Sequence, residues 1–305
     1  MSAPDLSPLD RQAVRESFAR AAATYDDSAV LQREVADRLL ARLDYINLRP
    51  VRILDLGCGT GYLTRLLAQR YAAAQIVGLD LALPMAQAAR QRTTARLPFG
   101  LGRRLSRCRY TNADAEALPF ADASLDLVVS NLTLQWCDPD RVFRECRRVL
   151  RPGGLLLFTT FGPDTLQELR AAWRAVDCCV HVHDFIDMHD LGDALVRARF
   201  ADPVMDVERL TLTYTKVEEL LHDLKAIGAH NSASARRSTL TGKGQFARFA
   251  QAYEVYRRSD GRLPASYEVV FGHAWIPEHS SAQVELADGQ IAVPVTELRR
   301  HPEWP

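Results

Sequence analysis

The chain has 305 residues, enough to bury a large core in one elaborated domain or in a domain with a cap. Lys+Arg and Asp+Glu are equal at 38 each, which excludes the strongly basic balance of a nucleic-acid binder. No apolar run reaches the roughly 20 residues of a membrane span, and the opening Met1-Ser2-Ala3-Pro4-Asp5 lacks the basic and apolar regions of a signal peptide, so a cytoplasmic location away from membranes is expected.

Helical apolar spacing over 10–23 (Val14, Phe18, Ala22) and 29–45 (Leu31, Val35, Leu39, Leu43) predicts an N-terminal helical cover, with Tyr25 between the two helices. Ile53-Leu54-Asp55-Leu56 then reads as a buried parallel strand running into the turn Gly57-Cys58-Gly59-Thr60-Gly61, which opens a helix. Gly57 and Gly59 permit backbone angles and a close ligand approach that a Cβ would obstruct, while Gly61 lets the next helix pack on the strand. A dinucleotide fingerprint would need glycine at 62, where Tyr62 stands, and the Gly-Lys-Ser/Thr of a P-loop is absent. Asp55 places a carboxylate beside the turn, which suits a ligand carrying an ammonium and a sulfonium better than one carrying phosphates. The turn therefore predicts a site for S-adenosylmethionine.

Further along, Gln75-Ile76-Val77-Gly78-Leu79-Asp80 is a second short strand ending in an acid about twenty residues beyond the turn, where an acid meets ribose hydroxyls in this architecture. Asp80 is the expected ribose clamp, with Leu81 next to it in the site. A third strand over 109–115 is expected to end in Asp114, placed to accept from the adenine amino group beside Ala115. The fourth strand, 125–131, opens onto the crevice where such sheets bind ligands, so Asn131 and Leu132 should line the methyl-donor pocket.

A helix over 140–150 is stopped by Pro152-Gly153-Gly154, and a fifth strand follows at 155–160. Strands near 204–212 and 267–276 complete a doubly wound, mostly parallel seven-stranded Rossmann-like α/β sheet with N-terminal helices. The helical stretch 216–262 is too long for a simple connection and predicts a lid over the substrate. The expected division of a single 1–305 domain is a cover at 9–47, a cofactor-binding core at 48–215 and 265–277, a lid at 216–264 and a tail at 278–305. Acids are absent from 81–113, while Arg90, Arg92, Arg96, Arg103, Arg104, Arg107 and Arg109 make a local positive patch. Six cysteines lack C-x-x-C or Cys/His zinc spacing and read as reduced thiols, with Cys178-Cys179 expected as an ordinary buried pair. His181, His183 and His189 come without the carboxylate or thiolate set of a metal centre, so no metal is expected.

The stretches 18–31, 55–61, Asn131-Leu132-Thr133-Leu134-Gln135-Trp136-Cys137, Phe161-Gly162-Pro163-Asp164-Thr165-Leu166-Gln167-Glu168-Leu169 and Gly272-His273-Ala274-Trp275 together resemble the malonyl-[acyl-carrier protein] O-methyltransferases of biotin synthesis over roughly 9–277. The glycine turn is generic to methyltransferases, whereas the 161–169 and 272–275 segments are more specific. The resemblance implies methylation of the free carboxylate of malonyl-acyl-carrier protein, or of malonyl-coenzyme A, with Tyr25 over the donor methyl or the substrate carboxylate. A cation is then needed for that carboxylate. Arg236, Arg237 and Lys225 are the lid candidates, and Arg237 is carried forward with Tyr25 as a catalytic expectation. Competing readings are a quinone or sterol C-methyltransferase, a relative that modifies a protein (including arginine hydroxylation), and a non-catalytic cofactor sensor.

Overall fold

The computed structural model of the chain describes residues 9–94, 107–229, 231, 242–278, 284–285 and 291–292. Parallel strands β1 (Arg52–Leu56), β2 (Gln75–Asp80), β3 (Cys108–Asn112), β4 (Leu125–Ser130) and β5 (Leu150–Phe161) are joined by β6 (Ala201–Tyr214) and β7 (Leu263–Trp275) in the order β3-β2-β1-β4-β5-β7-β6. β7 runs antiparallel to both β5 and β6. A two-stranded ladder of β8 (Val284–Glu285) and β9 (Ile291–Ala292) lies outside this sheet.

The central strands read as continuous apolar runs because helices cover both of their faces. Ile53, Leu54 and Leu56 of β1 are fully buried, and all six residues of β4 are buried. Successive strands step outward from β1 through β2 to β3, then return to the other side of β1 as β4. The strand order thus reverses between β1 and β4, and a crevice opens beyond their carboxyl ends.

The expected N-terminal cover is α1 (Arg11–Ala21), a short α2 (Tyr25–Ser28) and α3 (Val30–Arg42), with the Asp10 carboxylate capping α1 by accepting from Ala13 N at 3.0 Å. Behind the sheet strands follow α4 (Tyr62–Arg70), α5 (Leu83–Thr94), α6 (Pro139–Val149), α7 (Gln167–Arg174) and α8 (Met188–Arg197). Helix α6 starts where it does because Asp138 caps it and Pro139 occupies its first turn. One core layer contains Leu39, Leu67, Phe249 and Tyr253; the other contains Phe143, Cys146, Phe158 and Leu195. Between β6 and β7 lie α9 (Val217–Ala226) and α10 (Lys243–Tyr253).

Several boundaries depart from the sequence reading. β3 stops at Asn112, so Asp114 sits beyond the strand and bridges to Ala117 instead of extending the ladder. β5 begins at Leu150, and the Pro-Gly-Gly stretch is carried within it, with a register irregularity against β4 between Leu125 and Leu127. Cys178 is exposed and Cys179 half-buried, both free, so they do not form the buried pair expected. Of the arginine patch, 96, 103 and 104 lie outside the described residues.

Candidate active site

At the end of β1 the chain makes the expected turn: Gly57, Gly59 and Gly61 all take positive φ, at 74°, 52° and 81°. The turn is anchored to β2, whose last-but-one carbonyl, Leu79 O, accepts from both Gly57 N (2.8 Å) and Cys58 N (2.9 Å). The three glycines are required for different reasons. A Cβ at Gly57 would stand 2.0 Å from Thr133 Oγ1, and one at Gly61 would stand 2.9 Å from Ala89 Cβ on α5. At Gly59 a Cβ would meet only Tyr25 Cε1, 3.9 Å away, so its face of the turn borders open space.

That space is a cavity beside the turn. It is lined by Gly57, Gly59, Asp80, Leu81, Asn131, Leu132, Asp114 and Ala115, together with apolar Val14, Phe18 and Met85. Asp80 is held by two backbone donors, Gly59 N to Oδ2 and Ala82 N to Oδ1, both at 2.8 Å. Burial pushes its carboxyl up to about 6 against the pull of those donors. An apolar slot with a fixed carboxylate at one end fits an adenosine with its ribose on Asp80, so the residues present suit S-adenosylmethionine.

Asp55 and Cys58 border a smaller neighbouring cavity with Tyr25 and Gly59. The Asp55 side chain is buried and accepts from Thr64 Oγ1, and burial raises its carboxyl to about 7. Asn131 also has a prior engagement: its Nδ2 donates to Gln32 O (3.0 Å) and its Oδ1 accepts from Thr159 Oγ1 (2.9 Å). Gly61 lies outside the lining of either cavity and serves the packing of α4. Two thiols near the donor site are held protonated by burial, Cys58 well above its ordinary value and Cys137 at about 12.

A second cavity adjoins the first and shares Phe18, Tyr25, Leu132 and Trp136 with it. Its walls are largely aromatic and aliphatic, including Phe161, Phe185, Leu169 and Tyr267, with Gln32, Gln135, His181, His183 and Asn231 among them. The segment 161–169 builds one wall by docking on β7. Thr165 Oγ1 donates to Glu268 O and accepts from Glu268 N, each at 3.1 Å, and Asp164 N donates to Glu268 Oε2 at 2.7 Å. Buried Glu168 accepts from Ser266 N at 3.1 Å. Leu132 and Leu166 are both held at positive φ, 49° and 55°, a strained state for a branched side chain, and both line this cavity.

Tyr25 lies against all three of these cavities, and its hydroxyl has no hydrogen-bond partner among the described residues. Burial and the neighbouring Asp80 carboxylate keep that phenol protonated. Asp26 fixes the segment by accepting from Thr60 Oγ1 and pairing with Arg92 Nε at 2.7 Å. The expected carboxylate-binding cations are not found in the wall: Lys225 is exposed on α9, and among the described residues no lysine or arginine lines the second cavity. Arg236 and Arg237 lie outside the described residues. His181 pairs with Asp177 at 2.9 Å and stacks on Trp173, while His189 pairs with Asp187 at 2.6 Å.

Arg11 escaped the sequence reading. From α1 it reaches Asp114 and Glu116, the latter at 2.6 Å, and so straps the N-terminal helix across the side of the donor cavity where adenine is expected. An arginine at a helix start carries no local signal for a partner a hundred residues on.

Comparison with known proteins places the chain among methyltransferases. A family model described as a methyltransferase domain matches residues 54–158. The malonyl-[acyl-carrier protein] O-methyltransferase of Laribacter hongkongensis is 56% identical over 284 residues, covering 92% of this chain and 94% of the relative. That of Gallionella capsiferriformans is 54% identical, covering 88% of this chain and 92% of the relative. Among solved structures, the [4+2]-cyclase SpnF superposes with a TM-score of 0.58 at 22% identity, covering 92% of this chain and all of that one (100%). The YcgJ protein of a Bacillus species gives 0.53 at 18% identity, covering 79% and 98%. At these identities the structural likeness bears on the fold alone.

Proposed function

The chain belongs to the malonyl-[acyl-carrier protein] O-methyltransferase family, and from that premise we propose that it methylates the free carboxylate of malonyl-acyl-carrier protein, giving the methyl ester that primes pimeloyl synthesis for biotin. The observation that carries the reading is the pair of adjoining cavities, one fitted to adenosine and one apolar, that share Phe18, Tyr25, Leu132 and Trp136. Bound S-adenosylmethionine supplies an electrophilic methyl on a sulfonium. The residues at the junction have three tasks: to hold the acyl carboxylate in line with that methyl, to exclude water, and to leave one carboxylate oxygen free.

A malonyl carboxylate is ionised at neutral pH, so the reaction needs no general base. Transfer consumes one positive and one negative charge together. A low-dielectric junction raises the energy of the separated charges more than that of the neutral products, and so favours transfer. The aromatic wall of Phe161, Phe185, Trp136 and Tyr267 suits that demand. In this proposal Tyr25, protonated and with its hydroxyl unpartnered among the described residues, covers the donor methyl and offers that hydroxyl to the arriving carboxylate. Asp80 and Asp114 hold the ribose and adenine, backed by Gly57, Gly59, Leu81, Ala115, Asn131 and Leu132. Arg237, in the 216–264 stretch proposed as a lid, contributes the cation.

Incubation with S-adenosylmethionine and malonyl-acyl-carrier protein, followed by mass spectrometry of the carrier, tests the reading. One added methyl on the malonyl oxygen is expected, with none on acetyl-carrier protein. A methyl on carbon, or methylation of the acetyl form, would overturn it.

A further inference from the structure

Most polar side chains in the interior are satisfied, as they are in folded proteins generally. Among the described residues, three buried side-chain atoms have no hydrogen-bond partner: Gln32 Oε1, Arg170 Nε and His183 Nε2. Two of the three belong to residues that line the acyl cavity, Gln32 and His183. His183 is only 7% exposed. Its ring is wedged between Trp136, with centroids 4.9 Å apart, and Phe185, at 4.6 Å. Nothing in that setting uses the ring nitrogen. A buried ring nitrogen left unsatisfied is a standing cost that a suitable ligand group would relieve, and with Nε2 protonated the ring offers a donor.

His183 lines the acyl cavity and packs on Trp136, which belongs to both cavities, so the ring lies beside the junction where the reacting end of an acyl group would sit. There the substrate's acceptor is the carboxylate. We propose that His183, as a neutral imidazole, donates from Nε2 to the carboxylate oxygen that does not attack, and so selects acyl groups ending in a carboxylate; this rests on the function proposed above. Burial lowers the His183 pKa to about 4, which keeps the ring a donor without charge across the working pH range. A neutral donor suits this step. It adds a hydrogen bond to the carboxylate inside a largely apolar wall without adding a second positive charge to the one Arg237 is proposed to supply.

The test uses the full chain and three proteins: wild type, His183→Leu, which removes the donor at similar volume, and His183→Gln, whose amide N–H reaches the same region. With malonyl-acyl-carrier protein, kcat/KM should fall about 10- to 100-fold in His183→Leu, the effect of a lost hydrogen bond to a charged group, and recover to within about fivefold of wild type in His183→Gln. Calorimetric affinity for S-adenosylmethionine should be unchanged in both, which also establishes that they fold. A second readout needs no turnover: in protein saturated with S-adenosylhomocysteine, malonyl-pantetheine should shift the His183 Nε2 nitrogen resonance, assigned by its loss in His183→Leu, and acetyl-pantetheine should not. Wild-type turnover in His183→Leu, a Gln variant no better than Leu, or equal shifts from both thioesters would overturn the inference. A wild-type protein inert toward malonyl-acyl-carrier protein would bring down the functional reading and this inference with it.

Discussion

Gly59 and Tyr25 face each other across the donor site: a methyl group built on Gly59 would approach Tyr25 Cε1 to 3.9 Å and touch nothing else within 4 Å. Apart from Tyr25, nothing among the described residues packs against that face of the turn, so a ligand can approach it. Gly59→Ala should weaken S-adenosylmethionine binding more than tenfold by calorimetry while lowering stability by only about 1 kcal/mol, the cost of a Cβ at positive φ. Gly57→Ala should do the reverse, because its Cβ would collide with Thr133 and lower the melting temperature more. Wild-type affinity in Gly59→Ala would remove this turn from the cofactor site.

The two buried carboxyls beside the turn make cofactor binding sensitive to pH. Asp55 and Asp80 ordinarily titrate near 3.8 but are raised to about 7 and about 6 by burial. The folded chain holds these protons more tightly than the unfolded one, so their contribution to stability is complete below about pH 4 and is lost as pH rises through 6 to 7. An arriving cation favours the ionised forms and expels the protons. Affinity for S-adenosylmethionine should then climb from pH 5 to about 7 and level off, with proton release at pH 6 seen as a buffer-dependent binding enthalpy. Asp55→Asn should reduce that release, and a buffer-independent enthalpy at pH 6 would refute the linkage.

Because the attacking oxygen is already ionised, the chemical step should respond little to pH. With both substrates saturating, kcat should change less than about twofold between pH 6.5 and 8. A slope of one in log kcat over that range would point to a required deprotonation and to a different nucleophile.

Arg11 ties α1 to Asp114 and Glu116 on the wall of the donor cavity. Its side chain is 37% exposed, so Arg11→Ala should cost little global stability. It should release S-adenosylhomocysteine several-fold faster in a stopped-flow displacement experiment. An unchanged dissociation rate would show that α1 does not move to let the ligand out.

Elements whose signals are local were legible in the sequence. β1, the glycine turn and the acid at the end of β2 announce themselves through an unbroken apolar run, spacing and a terminal carboxylate, and all three stand where those signals place them. What was not legible depends on partners far along the chain. Asp114 reads as a free acceptor until α1 delivers Arg11 to it. The 161–169 segment reads as a motif, but only the fold shows it clamped to Glu268 and Ser266 of β7. His181, His183 and His189 look alike as a spaced set. The nearby acids distinguish them, satisfying the first and last and leaving the middle one bare. Cys178-Cys179 failed because small apolar side chains are common both in cores and in exposed connections.

The place of β7 bears on how such a chain comes to be made. Among the described residues β6 has no other strand beside it in the sheet, and β5 has nothing on that flank until residues 263–275 arrive between them. During synthesis the first five strands can form their ladder while β6 waits without a neighbour, and the 161–169 clamp waits with it. The acyl cavity therefore comes into being last, after the donor site that serves it. A premature stop between 215 and 262 should leave a product with an open, sticky flank that aggregates or is degraded, even though every residue assigned to the cofactor is already present.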